Sequence, residues 1–172
     1  MSGGGWAEWL VTHGRADEAA VAQAERVLEA AALRPGDTVL DLGSGLGLLT
    51  LATHDRIGDG WVIAVDPSVA ALDELLQRAH ELRARGITYL VGDAAVLPLP
   101  DECVDAVLIR SALARVDDVD AAVAELARVL RPGGRVSLCE SPEVGDLQAS
   151  FAGWADVRAE TGTDLYLTAR RA

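Results

Sequence analysis

Apolar residues Val21, Ala24, Val27, Leu28 and Ala31 recur every three or four positions among Glu, Gln and Arg, which predicts an amphipathic helix over 16–32. Upstream, Trp6, Trp9 and Leu10 form a short apolar face, and Gly14 separates it from the helix. After Pro35-Gly36-Asp37 the pattern changes to short, nearly all-apolar runs alternating with helical periods. Strands are predicted over 38–42, 61–65, 87–91, 104–109 and 135–139. Helices are predicted over 46–57, 69–85 with Ser68 as N-cap, and 119–130 with Asp117 or Asp118 as N-cap. Arg131-Pro132-Gly133-Gly134 is read as the stop of the last helix. Strands too apolar to face water on one side, separated by helices, mean an α/β Rossmann-like fold with five parallel strands. The tail WADVRAETGTDLYLTARR breaks this rhythm and reads as an antiparallel hairpin turning around Gly162-Thr163 at the sheet edge.

No repeat, linker or shift in composition divides the chain. One domain over 1–172 is therefore expected, with a helical cover over 1–33 and an α/β core over 34–172. Half of the 172 residues are apolar, enough for a single core. No apolar run approaches the roughly 20 residues that span a bilayer, and the N-terminus lacks signal-peptide character, so a cytoplasmic protein is expected. The net charge of −12 disfavours nucleic acid as a partner and suits a neutral or cationic small molecule. Cys103 and Cys139 lack metal-ligand spacing, so neither zinc nor a disulfide is expected. All 15 basic residues are arginines, which removes lysine chemistry.

The most informative stretch is VLDLGSGLGLLT, where Gly43, Gly45 and Gly47 fall between a strand and a helix and let the backbone approach a ligand. A dinucleotide fingerprint would need a third glycine where Leu48 stands, and Asp41 sits two residues before the first glycine, which favours a nucleoside-type ligand. The next strand ends in VIAVDPS, putting Asp66, followed by Pro67, at a strand tip. A carboxylate there accepts from both ribose hydroxyls, in dinucleotide-binding chains as well as others. In VGDAAVLPLPD, Asp93 is placed to accept from an exocyclic amine and the Ala94 amide to donate to a ring nitrogen, although Asp93 would equally serve to cap its own loop.

These motifs resemble the class I S-adenosylmethionine-dependent methyltransferases, particularly the compact branch of ubiquinone and menaquinone C-methyltransferases. The resemblance runs from about Leu28 to the C-terminus through VLDLGSGLG, AVDPS, VGDAAVLPLPDECVDAVL and RVLRPGGRV, in family order. It implies the seven-stranded sheet order 3-2-1-4-5-7-6, with strand 7 antiparallel. It also implies S-adenosylmethionine as cofactor and S-adenosylhomocysteine as product. Gly43, Ser44, Gly45 and Gly47 would surround the methionine end, with Asp41 supporting its ammonium, Asp66 holding the ribose, and Asp93 with Ala94 holding the adenine. Arg110, past the fourth strand, would approach the methionyl part and sulfonium.

In-line methyl transfer draws on positioning and desolvation, with a base where the acceptor must lose a proton. Of the three histidines, His54 and His80 read as surface residues. His13, in the segment that by resemblance covers the pocket, is the base candidate. Many relatives carry a histidine pair after the fourth strand, where this chain has Ala114 and Arg115. The segment between Cys139 and the hairpin is also short, leaving the acceptor side open or completed by the N-terminal face, a homodimer or a partner subunit. Methyl transfer to a small molecule is the expectation. Its alternatives are a methyltransferase-fold protein performing a non-methylating reaction such as cyclisation, a nicotinamide-dependent oxidoreductase, and a non-catalytic partner subunit.

Overall fold

A computed structural model describes Thr12 and residues 16–172. Trp6, Trp9, Leu10 and His13 therefore lie outside the described residues. Helix α1 (Glu18–Ala31) starts where the Asp17 carboxylate accepts from the Ala20 amide at 2.7 Å, and it buries the stripe Ala24, Val27, Leu28 and Ala31. There follow β1 (Thr38–Leu42), α2 (Leu48–Ile57), β2 (Trp61–Asp66), α3 (Val69–Glu81), β3 (Ile87–Val91) and β4 (Val104–Arg110). The chain continues through a 3-10 turn (Leu113–Arg115), α4 (Val119–Val129), β5 (Leu130–Glu140), a second 3-10 turn (Pro142–Val144), α5 (Leu147–Ser150), β6 (Ala155–Thr161) and β7 (Leu165–Arg170).

The seven strands form one sheet in the order β3-β2-β1-β4-β5-β7-β6, in which β1 to β5 are parallel and β7 runs antiparallel to both β5 and β6. This is the order the resemblance implies, and the terminal hairpin lies at the edge as its alternation predicts. Successive residues of the central strands point to opposite faces: Leu40, Leu42, Val107 and Ile109 pack with α4 and Phe151, whereas Val39, Ala106 and Leu108 pack with α1 and Ala52. Both faces are covered, which is why these strands lack polar alternation. Phe151 is fully buried and meets Trp154 edge-on, with ring centroids 5.0 Å apart.

Several boundaries differ from the sequence expectation for local reasons. Helix α2 begins at Leu48 instead of 46, because Gly47 takes a left-handed φ of +89° at its N-cap. Helix α3 ends at Glu81, since Arg83 also turns left-handed (φ +56°). The N-cap of α4 is Asp118, whose side chain accepts from Ala121 at 2.9 Å. Arg131 to Gly134 are not a free turn: the ladder pairs Val104 with Leu130 and then Ala106 with Arg135, so these residues form an irregular opening to β5.

The order 3-2-1-4 reverses direction at β1, so the loops leaving β1 and β4 diverge and open a crevice at their carboxyl ends. The loop after β3 is tied down beside it. Glu125 accepts from the Leu97 amide at 2.7 Å, and Arg128 donates to the Leu97 and Leu99 carbonyls.

Candidate active site

At that crevice lies a cavity of about 430 Å³, within the range of small-molecule sites. Its walls are the glycine loop, Asp66-Pro67, residues 92–95, residues 110–112 and 115–118 after β4, and Ala16 and Ala20 at the start of α1. Of the residues singled out on the sequence, Asp41, Gly43, Ser44, Gly45, Asp66, Pro67, Asp93, Ala94 and Arg110 all line it. Gly47 does not. A Cβ there would stand 2.1 Å from Leu75 Cδ1, so its glycine serves helix capping and packing against α3. At Gly43 the obstacle is the cavity wall itself, because a Cβ would stand 2.4 Å from the Ala112 Cβ and φ is +72°.

The loop is strapped to its neighbours before any ligand arrives. Gly43 and Ser44 amides donate to the Val65 carbonyl at 2.8 and 3.1 Å. The Asp66 carboxylate, mostly buried at the tip of β2, accepts from Gly45 N through Oδ2 at 2.8 Å and from Ser68 N through Oδ1 at 2.9 Å. Each oxygen keeps further lone-pair capacity for an outside donor.

Asp41 is almost completely enclosed on β1 and accepts from the Thr50 hydroxyl at 2.5 Å. Burial pushes its carboxyl up to about 6; the Thr50 hydrogen bond and the nearby Arg110 charge pull the other way without cancelling it. A carboxylate so short of solvent gains from a cation placed beside it. The Ser44 hydroxyl is also buried and has no partner among the described residues, so a polar ligand group there would satisfy an atom now left alone.

Arg110 reaches from the end of β4 to donate to the Gln23 side-chain oxygen of α1 at 3.2 Å, and it forms no ion pair among the described residues. Asp93 is exposed and uses Oδ1 to accept from its own loop at Ala95 N, 2.8 Å away, so the self-capping reading holds for one of its two oxygens. His54 accepts from the Arg85 amide at Nε2 and His80 is exposed; neither lines the cavity.

Three wall features escape the sequence reading. Arg78 is buried on α3, donates to the Leu46 carbonyl at 2.6 Å and pairs with Glu74, so it supports the glycine loop from beneath. A charge spaced three residues from Leu75 on the stripe that also holds Leu72 was the available signal. Arg115, Val116, Asp117 and Asp118 enter through the turn after β4, and Ala16 with Ala20 enter from α1; no local pattern marks them.

A family model described as a methyltransferase domain matches residues 40–138. A demethylmenaquinone methyltransferase from Mycobacterium marinum is 42% identical over 106 residues, covering 62% of this chain and 42% of that protein. The chain spans less than half the length of the curated relatives it matches. An S-adenosylmethionine-dependent methyltransferase from Aquifex aeolicus superimposes with a TM-score of 0.78 over 91% of this chain and 94% of that one, at 20% identity, a likeness of fold. The [4+2]-cyclase SpnF superimposes with a TM-score of 0.67 at 29% identity, over 74% of this chain and 47% of that one.

Proposed function

Because the chain belongs to the class I S-adenosylmethionine-dependent methyltransferase family, we propose that it binds S-adenosylmethionine in the cavity described above and transfers its methyl group to a small quinone-type acceptor in the cytoplasm. The observation that carries this reading is the convergence on one cavity, at the carboxyl ends of β1, β2 and β4, of Asp41, Asp66, the Ser44 hydroxyl, which has no partner among the described residues, and Arg110, which has no ion-pair partner among them. These groups fit the cofactor's polar parts. Asp41 offers a buried anion to an ammonium, Arg110 a cation to a carboxylate, Asp66 acceptors to vicinal hydroxyls, and the free Asp93 oxygen with the Ala94 amide an acceptor and donor to an adenine edge.

When bound, S-adenosylmethionine supplies an electrophilic methyl carbon on a sulfonium. The protein's part is to exclude water and hold the acceptor carbon in line, which supplies much of the rate when the reacting atoms are well placed. In this reading His13, which lies outside the described residues, takes the proton that the acceptor ring loses. The quinone-type acceptor follows the name of the Mycobacterium marinum relative, and methyl transfer is preferred over cyclisation because that relative, at 42% identity, is named a methyltransferase.

Incubating the purified chain with S-adenosylmethionine and a reduced short-chain demethylmenaquinone tests this reading. Equimolar S-adenosylhomocysteine and methylated quinol are expected. Acceptor conversion without S-adenosylhomocysteine would replace methyl transfer by the cyclase-type alternative, and no conversion would remove the quinone assignment.

A further inference from the structure

The cavity wall after β4 depends on a side chain that does not itself line the cavity. The chain leaves β4 through Ser111, whose φ of +54° is left-handed for a residue with a side chain, and its amide donates to the Cys139 carbonyl at 2.9 Å. It then enters the 3-10 turn at Leu113 with Ala112 in the N-cap position, where no local side chain accepts from the free amides. Glu140, the last residue of the neighbouring strand β5, fills that role from outside the turn: its Oε1 accepts from Ala112 N at 2.7 Å and Leu113 N at 2.8 Å.

Glu140 is fully buried, and its Oε2 has no hydrogen-bond partner among the described residues. Burial raises its carboxyl, opposed by the turn's amides and the Arg115 charge. An acceptor buried at this cost is retained where a serine or asparagine at position 112 would cap the turn more simply. Alanine stands there instead, against the glycine loop, where a Cβ on Gly43 would come within 2.4 Å of the Ala112 Cβ. The cap comes from another strand.

We propose that Glu140 is a positioning residue for the acceptor side of the cavity, holding the turn that carries Ala112, Arg115 and Val116 into the wall. The proposal rests on the methyl-transfer reading for its effect on rate, but the anchor itself does not. Substitution should then separate turnover from cofactor binding. Glu140→Ala removes the acceptor; Glu140→Gln keeps an amide oxygen where Oε1 stands; Glu140→Leu fills the space without an acceptor and replaces the alanine variant if that one fails to fold.

With the reduced short-chain demethylmenaquinone as probe, Glu140→Ala is expected to lower kcat at least about tenfold while the Kd for S-adenosylhomocysteine stays within about threefold, and Glu140→Gln is expected to restore most of the rate. Amide hydrogen exchange should show protection lost at Ala112 and Leu113 in the alanine variant and retained in the glutamine variant, with the rest of the sheet unchanged. Wild-type turnover in Glu140→Ala, equal defects in the alanine and glutamine variants, or a parallel loss of cofactor affinity would each overturn the proposal. If the wild-type chain does not convert the quinol, the acceptor assignment fails, and the exchange pattern with the S-adenosylhomocysteine affinity still decides the anchor: loss of protection confined to the turn supports it and unchanged protection refutes it.

Discussion

Asp66→Ala is expected to weaken S-adenosylhomocysteine binding about a hundredfold, or ~2.7 kcal/mol, with only a small change in global stability. Two contributions add in the same direction. The carboxylate that would accept from the ribose hydroxyls is lost, and hydrogen bonds to a charged acceptor are worth about 1.5–3 kcal/mol each. The same side chain also holds Gly45 N and Ser68 N, so its removal releases the glycine loop that the ligand would otherwise find already shaped. Asp66→Asn keeps one acceptor oxygen and should fall between the two. Titration calorimetry reads the effect directly, and an unchanged Kd in Asp66→Ala would mean that the ribose lies elsewhere.

Asp41→Asn is expected to weaken cofactor binding at least tenfold at pH 7.5 and to abolish a pH dependence that the wild-type chain shows. The buried Asp41 carboxyl sits at about 6 in the folded chain against an ordinary 3.8. A group raised on folding contributes stability that is fully present below its unfolded value and is lost as pH rises through its folded value. The unliganded wild type should therefore lose about 2.4 kcal/mol from this group between pH 4 and pH 7. For a domain of this size that is a fall in Tm on the order of 5–10 °C. Glu140, also raised by burial, titrates in both proteins, so the difference between them isolates Asp41. An ammonium placed beside Asp41 favours its charged form, so wild-type affinity should rise as pH passes through 6, with proton uptake by the buffer on binding. Thermal melts and calorimetry of the two proteins from pH 4 to 8 measure both effects; parallel curves would show that Asp41 neither titrates in this range nor meets the ligand.

The parts of the site that were legible in the sequence are those in which backbone and ligand make the same local demand. Gly43 and Gly45 bend the chain at the strand tip with left-handed φ of +72° and +50°, and Asp66 ends an apolar strand with a charge at the mouth of the crevice. The alternation of 155–161 and 165–170 announced the edge hairpin because one face of those strands is exposed. Less legible were residues whose partners are distant. Glu140 closes an apolar strand, yet the amides it serves belong to residues 27 and 28 positions earlier. Arg78 looks like one more charge on a polar helix until the Leu46 carbonyl, 32 positions away, is set beside it. Gly47 shows the opposite failure: its place in the glycine series suggested ligand contact, whereas Leu75 explains it.

A nucleoside-type cofactor in the cavity between β1, β2 and β4 is tested most directly by calorimetric titration of the unaltered chain with S-adenosylhomocysteine and, separately, with NAD. One-to-one binding of S-adenosylhomocysteine, lost in Asp66→Ala, with no heat from NAD, is the predicted result; tight binding of NAD with none of S-adenosylhomocysteine would contradict it.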